Sequence, residues 1–171
     1  QIRDILEDED CPAAKSQALY RSFMDTDAIE AAGATPIRPA LDVIDHAADK
    51  AALTRAIGAL KPIDMGPDVF DIAVFGDPKN PGTNVVHLEQ SGIGLPDEAY
   101  YREDHYAPIR EAYVDMVAKQ LRLAGYGDEE TTRAQADRFL DVETRIAANH
   151  WDNVATRDSQ KTYNPTDFAT L

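Results

Sequence analysis

The chain has 171 residues, a length that fits about one domain at roughly 150 residues per domain. Its 17 Lys and Arg stand against 31 Asp and Glu, which gives a formal net charge of −14. Such a polyanion is repelled by the phosphates of nucleic acids and of anionic membranes, so neither is an expected partner.

Cysteine content and hydropathy narrow the class of protein further. The one cysteine, Cys11, cannot form an intrachain disulfide, which fits a reducing compartment or a bacterial protein without disulfides. We therefore expect a bacterial cytoplasmic location, with a secreted or cell-surface parent protein as the alternative. The apolar runs are a few residues long, far short of the roughly 20 that span a bilayer, so no membrane segment is predicted in this chain.

Apolar residues recur at spacings of three and four along most of the first sixty residues, which predicts helices. Gly33 is the expected stop of the second of these helices, Pro39 suits the first turn of the third, and Pro62 ends the fourth. The first helix is expected to fade into an acidic loop. The predicted helical segments are 1–10, 13–30, 39–47 and 50–60.

The period then changes from 3.6 to 2. Residues 70–75 and 85–90 alternate in the manner of strands, and the Gly, Pro, Asp and Asn residues of 76–82 predict a long loop between them. A single hairpin is marginally stable alone. We expect this hairpin to be the main or only sheet and to pack on helices.

Helical spacing returns in the second half of the chain. A short helical turn is predicted at Tyr100 and Tyr101, and 109–123 and 128–149 are predicted to be two long antiparallel helices joined at Gly125. Another helix is expected to begin at 166–168. The predicted stripes comprise Ile109, Tyr113, Met116, Val117 and Leu121 in the first long helix, and Ala136, Phe139, Leu140, Glu143, Ile146 and Ala147 in the second.

The sequence contains no strong signal for a metal-binding site. A zinc hydrolase of the helix type needs the H-E-x-x-H spacing, whereas His46, His87, His105 and His150 are each separated by 18 or more residues. Two weaker pairs stay open: His87 with Glu89 on one strand face, and Glu143 with His150 seven residues apart. The interpretation favoured for both pairs is an ordinary polar contact, so we predict no metal ligands and no catalytic residues.

Three other motifs have plain structural interpretations. Cys11 lies before Pro12 among acidic residues, which disfavours the thiolate that a nucleophile needs. The run 92–94 lacks the third glycine and the Lys-Ser/Thr of a phosphate loop, and a tight strand-to-helix connection explains it better. Tyr100 and Tyr101 could stack on a ligand, but core packing is the favoured alternative.

Several longer strings occupy 15–25, 87–90, 90–101, 139–143 and 157–164. The most specific of them is the Gln-x-Gly-x-Gly-Leu-Pro-x-x-x-Tyr-Tyr type string at 90–101. In this order, over nearly the whole chain, the strings resemble the N-terminal half of the neprilysin and endothelin-converting-enzyme family of zinc metallopeptidases, and their collinearity makes the resemblance specific.

The resemblance implies a mainly α fold, a helical lid lobe with one antiparallel β-hairpin, with 1–171 as a single domain inside the N-terminal lobe. The parent protein would be a zinc metalloendopeptidase that hydrolyses short peptides in a closed chamber. Its zinc-bearing C-terminal lobe would be the partner of this chain. The family's H-E-x-x-H helix, its third-ligand helix and its peptide-binding strand would all lie downstream, so none of their residues can be assigned here.

Two further implications follow from the resemblance. Phe23 stands where vertebrate members have a disulfide cysteine, which points to a disulfide-free bacterial member, and no Asn-x-Ser/Thr acceptor exists because Pro165 follows Asn164. The chain itself is expected to hold no zinc and to be inactive, and to self-associate through apolar residues near 2–6 and 168–171. The alternative is a stand-alone helical interaction or binding module.

Overall fold

The computed structural model describes residues 2–8, 10–61 and 69–170. These residues fall into two compact units, 1–43 and 44–171, and each unit is described by itself. The fold is mainly helical with one antiparallel hairpin among the described residues, which confirms the predicted fold class. The expectation that 1–171 form a single domain stays a prediction.

The first unit consists of short helices. They are α1 (Ile2–Glu7), α2 (Ala14–Met24), α3 (Thr26–Ala32), a 3₁₀ turn (Thr35–Ile37) and the start of α4 (Arg38–Asp45), which continues into the second unit. The Gln17 amide holds α1 and α2 together because it donates to the carbonyl oxygens of Leu6 and Asp8. Tyr20 Oη adds a hydrogen bond to Glu7 Oε1 at 2.9 Å.

The single helix predicted over 13–30 is wrong, because the structure breaks it at Asp25. This residue ends α2 and also begins α3, where its carboxylate accepts a hydrogen bond from the Ala28 backbone N–H at 3.0 Å. An aspartate is a strong N-cap, and capping a new helix competes with continuing the old one. Gly33 ends α3 at a φ of 51°, as predicted.

In the second unit, α4 is followed by α5 (Lys50–Leu60), whose N-cap Asp49 accepts from the Ala52 N–H at 2.7 Å. This helix has the predicted bounds, and Pro62, its predicted stop, lies outside the described residues. The third predicted helix was placed over 39–47, and α4 ends two residues earlier, at Asp45. Pro39 lies in its first turn, as predicted.

The hairpin consists of β1 (Phe70–Asp77) and β2 (Asn80–Gln90), which pair from Phe70 with Gln90 to Asp77 with Asn80. The long loop predicted over 76–82 is therefore wrong: the strands extend into it and leave only Pro78 and Lys79 between paired residues. A register shift between Gly76 and Asp77 absorbs the irregularity, and Asp77 Oδ1 accepts from the Lys79 N–H at 2.9 Å.

Three helices follow the hairpin: α6 (Ala99–Arg102), α7 (Ala107–Leu123) and α8 (Glu129–Ala147). Both long helices were predicted, although α8 ends two residues before the expected 149. Gly125, at φ 86°, ends α7 in a Schellman motif, in which the Tyr126 N–H donates to the Leu121 carbonyl oxygen. Asp128 caps α8 by accepting from the Thr131 N–H.

The core of the second unit lies between α7 and α8. One buried cluster contains Val114, Val117 and Ala136, and a second joins Leu95 and Tyr101 to Ala147. The predicted stripe of α7 was partly wrong: Val114 is buried, whereas Ile109 and Met116 are more than 40% exposed. In α8, Phe139 is also exposed.

The chain after α8 is mostly irregular. It contains 3₁₀ turns at Ala155–Arg157 and Phe168–Thr170, the second of which stands where a further helix was expected to begin. Within the described part of the chain, no helix has the length and apolar character that crossing a membrane requires.

Candidate functional site

A buried carboxylate, that of Glu143, organises the most distinctive contacts of the second unit. Glu143 lies on the face of α8 that packs on α7 and is 6% exposed. Its Oε2 accepts from Tyr101 Oη at 2.8 Å, and its Oε1 accepts from the Gly94 N–H at 3.0 Å and from Tyr113 Oη at 3.2 Å. We call Gly94, Tyr101, Tyr113 and Glu143 the Glu143 cluster.

Tyr101 extends this cluster to the backbone of the segment between β2 and α6. Its hydroxyl oxygen accepts hydrogen bonds from the N–H groups of Gly94 (3.1 Å) and Leu95 (3.0 Å), while its proton goes to Glu143. Burial, with the neighbouring Glu143 charge, raises the pKa of Tyr101 far above its ordinary value. Burial raises the pKa of Tyr113 in the same way. Both phenols therefore stay protonated donors at neutral pH.

Gly94 is required by a close approach of the backbone to the Tyr113 ring. A Cβ at this position would lie 2.0 Å from Tyr113 Oη and 2.9 Å from its Cζ. No side chain fits there unless Tyr113 moves and gives up its bond to Glu143. The run 92–94 lies in the strand-to-helix connection between β2 and α6, and at Gly94 this connection contacts Tyr113 of α7.

The entrance to the same segment is fixed by the residues that follow α8. Gln90 Nε2 donates to the Trp151 carbonyl oxygen and the Trp151 N–H donates to Gln90 Oε1, both at 2.9 Å. His150 Nε2 donates to the Ser91 carbonyl oxygen at 3.0 Å, which assigns the Nε2–H tautomer. The string predicted as most specific, 90–101, is thus bound at both ends to α8 and its continuation.

Arg110 of α7 secures the far end of the segment. Its Nη1 donates to the carbonyl oxygens of Tyr100 (2.6 Å) and Glu103 (2.9 Å), which lie at the end of α6. Tyr101 is buried in the core and Tyr100 stacks on Tyr106 with ring centroids 4.0 Å apart. The core interpretation of the two tyrosines therefore describes Tyr101 well, while Tyr100 belongs to a half-buried ring stack.

The four histidines lie on separate elements. His46 follows α4, His87 is on β2 with its ring 5.7 Å from that of Phe75, His105 lies 3.5 Å from Glu103, and His150 bonds to Ser91. His87 Nε2 is buried without a hydrogen-bond partner, and Glu89 is exposed. Among the described residues, no group of three or more His, Cys, Asp or Glu side chains is arranged to hold a metal ion.

The second weak pair of the sequence, Glu143 with His150, has other partners in the structure. Glu143 and His150 each bind a neighbouring segment through tyrosine hydroxyls or backbone groups, as described above. Cys11 is half-buried between α1 and α2. The arrangement of the Glu143 cluster uses both carboxylate oxygens for positioning, so its chemistry is that of a structural anchor.

Two open grooves lie along α8 and the residues that follow it. A groove of about 520 Å³ runs between the base of the hairpin and α8, and one of about 420 Å³ lies beyond the end of α8. The first is lined by Val69, Gln90, Ser91, Val142, Arg145, Ile146, Asn149 and His150. The second is lined by Glu98, His150, Trp151, Asp152, Ala155 and Lys161.

Sequence reasoning singled out Glu143 only as the polar residue in an apolar stripe, and it missed the role of Gly94. The sequence features that could have revealed the contact are the polar Glu143 in the apolar stripe of α8 and the Gly-x-Gly-Leu-Pro string that contains Gly94, 49 residues earlier. Nothing local links the two, because the contact needs α7 and α8 to be packed first.

The comparisons with known proteins agree with this geometry. The profile of peptidase family M13, in its N-terminal part, matches residues 1–171. The chain belongs to peptidase family M13. Among curated relatives, endothelin-converting enzyme 1 of Homo sapiens is 28% identical over 169 residues, and that of Cavia porcellus is also 28% identical. Each alignment covers 92% of this M13 chain.

Solved structures give the same family with higher identity. The zinc metalloprotease Zmp1 of Mycobacterium tuberculosis, in complex with an inhibitor, is 39% identical, with a TM-score of 0.84 over 90% of this M13 chain. Its open state gives a TM-score of 0.82 at the same identity. This M13 chain spans 21 to 24% of the length of these relatives. The resemblance to the neprilysin and endothelin-converting-enzyme family is thereby confirmed.

Proposed function

We propose that this M13 chain is a lid segment of a zinc-dependent endo-oligopeptidase, where it helps to limit substrate size. The observation that carries the proposal is the match of all 171 residues to the N-terminal part of family M13, with 39% identity to a zinc metalloprotease. The parent would hydrolyse short peptides with zinc held elsewhere on the same polypeptide.

A size filter needs a wall that keeps its shape, and the second unit has the contacts for one. The α7 and α8 helices pack along their length, and the Glu143 cluster fixes the 90–101 segment against both. Buried polar networks with every member satisfied resist deformation because each displaced group loses its partner in a low-dielectric setting. The wall would exclude folded proteins and admit flexible peptides.

The described residues do not fit the catalytic zinc of such an enzyme. A catalytic site normally supplies three protein ligands and an open fourth position, which lowers the pKa of bound water toward about 7. The four histidines lie on different elements, and the sequence has no H-E-x-x-H. We therefore assign zinc and catalysis to the C-terminal part of the parent, with which this chain would associate, and expect the chain alone to be inactive.

Two further parts of the proposal concern location and self-association. The single cysteine supports a bacterial cytoplasmic location, and cell fractionation of the parent tests it.

Ile2, Ile5 and Phe168 are more than half exposed, which supports self-association of the chain. Light scattering at high concentration checks this, and a strict monomer would contradict it.

A stand-alone helical binding module is the alternative, supported by the two open grooves beside α8. The coding sequence discriminates between the two functions. A reading frame that continues for several hundred residues to an H-E-x-x-H supports the peptidase, and a stop codon after Leu171 supports the module.

A direct assay tests whether this chain alone lacks zinc binding and peptide hydrolysis. The purified chain is incubated with zinc and a quenched fluorescent peptide, and we expect no cleavage. Chelator-sensitive cleavage would overturn the proposal, as would micromolar zinc binding that is lost when His87 and His150 are changed to Ala. The matched control changes His46 and His105, which lie on other elements.

A further inference from the structure

The hairpin is attached to the rest of the second unit at its two ends. At its base, the Gln90 side chain exchanges two hydrogen bonds with the Trp151 backbone, and Lys61 Nζ lies 4.0 Å from Asp71 Oδ1. At its tip, the partner is Tyr163. Among the described residues, no helix packs extensively against either strand between these two ends.

The middle of the hairpin is largely open to solvent. Ala73, Val85 and His87 are half-buried. The other apolar side chains of the paired segments are 47 to 64% exposed, namely Phe70, Ile72, Val74, Phe75, Val86 and Leu88. A two-stranded hairpin is marginally stable alone and depends on what it contacts. Its position therefore depends on the attachments at the base and at the tip.

Tyr163 makes two contacts at the tip. Its Oη donates to Asp77 Oδ2 at 3.4 Å, and Lys79 Nζ lies 4.1 Å from the centre of its ring. Burial, together with the hydrogen bond to Asp77, raises the pKa of the Tyr163 phenol, which therefore stays a donor at neutral pH. A long hydrogen bond and a cation–π contact at the surface are both weak interactions, so this attachment can open and close.

The turn that carries Tyr163 is fixed by its own hydrogen bonds. Asp158 Oδ1 accepts from the N–H groups of Gln160 at 3.0 Å and of Lys161 at 3.2 Å. Side-chain to backbone bonds of this kind hold a turn without a neighbouring strand or helix. This turn is the 157–164 string of the sequence, so the string presents Tyr163 to the hairpin tip.

We propose that Tyr163 is a latch for the hairpin tip, and that the hairpin tilts about its base when this latch opens. The two strands move together because they pair with each other along their whole length. The base stays in place through Gln90 and Trp151. The inference concerns this chain itself, so it stands or falls separately from the lid function proposed above.

Distances between pairs of spin labels test the latch in the 171-residue chain. In a Cys11→Ser background, one label is placed at Ala134→Cys on the exposed side of α8, and the second at Asn84→Cys near the tip or at Glu89→Cys near the base. At roughly 3.3 Å per residue, the eight residues of β1 span about 25 Å, so a tilt of about 10° moves the tip by about 4 Å. We expect Tyr163→Ala to shift or widen the tip distance by at least that amount and to leave the base distance unchanged.

The matched control is Phe168→Ala, which removes a 92% exposed aromatic side chain from the same part of the chain and should change neither distance. An unchanged tip distance in Tyr163→Ala would overturn the latch. Equal widening of both distances would also overturn it, because the hairpin would then detach or unfold instead of tilting. If Tyr163→Ala does not fold, the double variant Tyr163→Phe, Lys79→Ala keeps the ring, removes the donor and the cation, and is judged by the same two distances.

Discussion

Glu143 shows at the scale of one residue how this sequence builds a fixed segment. A carboxylate that accepts from two tyrosine hydroxyls and a backbone N–H stabilises all three donors at once. The cost of removing it is larger than its own bonds, since buried donors left without a partner lose both the bond and their hydration.

Glu143→Ala is therefore expected to lower the free energy of unfolding by about 3 kcal/mol or more. Glu143→Gln keeps one carbonyl acceptor and should lose less. The control is Asp141→Ala, two residues before Glu143 on the exposed side of α8, with an expected change within about 0.5 kcal/mol. Urea unfolding followed by circular dichroism measures all three, and equal effects of Glu143→Ala and Asp141→Ala would contradict the anchor role.

Gly94→Ala tests the close approach to Tyr113. The added Cβ forces the ring away, which is an overpacking change of about 1–3 kcal/mol. Gly58→Ala in α5 is the matched control, because open space surrounds that position and alanine favours a helix by about 0.5–1 kcal/mol. In urea unfolding, Gly94→Ala should lower the free energy of unfolding and Gly58→Ala should raise it. A neutral Gly94→Ala would show that Tyr113 has room to move.

The buried Tyr101 and the half-buried Tyr113 predict a loss of stability at alkaline pH. The pKa of Tyr113 in the folded chain is raised by burial above the value of about 10 in the unfolded chain. The unfolded chain therefore releases this proton first, so the contribution is complete below pH 10 and is lost as the pH rises toward the folded pKa. Between pH 9 and pH 11 we expect the stability of Tyr113→Phe to fall less steeply than that of the wild type. Parallel slopes would contradict this.

At the scale of elements, capping residues decide where helices begin and end. Asp128 begins α8, and hydrogen bonds from the Thr131 side chain and N–H hold the pKa of its carboxyl below the usual value. Asp25 caps the N-terminus of α3 and thereby splits a helix that apolar spacing alone predicts as continuous.

Asp128→Asn should expose the charge dependence of the α8 cap. Asparagine caps nearly as well but carries no negative charge at the helix N-terminus. Because the folded pKa of Asp128 is depressed, its stabilising effect is complete above about pH 4 and is lost as the pH falls through the folded pKa. The melting temperature of the variant should be lower than that of the wild type at pH 7, and the difference between the two should become smaller toward pH 3. A difference that is the same at both pH values would contradict the ionic contribution.

Local signals predicted most of the elements because they act within a few residues. Pro39, Gly33 and Gly125 stand at helix ends in the structure as their backbone preferences require. The hairpin strands run longer than predicted, since pairing across the chain overrides the turn preference of 76–82. The burial of Val114 instead of Met116 depends on how α7 rotates against α8, which periodicity does not determine.

The family of the chain was predictable from collinear strings, whereas the Glu143 cluster was not. Family M13 follows from short motifs whose order survives at 28 to 39% identity. The Glu143 cluster joins residues 30 to 49 positions apart, and such contacts exist only after folding. No signal in the sequence pairs Gly94 with Tyr113.

The most direct test of the lid function compares two substrates of the parent polypeptide that differ only in size. A peptide of about ten residues is offered free, and the same sequence is displayed in a loop of a stable folded protein. With the polypeptide of the complete reading frame and zinc present, we expect kcat/KM for the free peptide to exceed that for the displayed sequence at least a hundredfold. Equal cleavage of both would contradict a lid that limits substrate size.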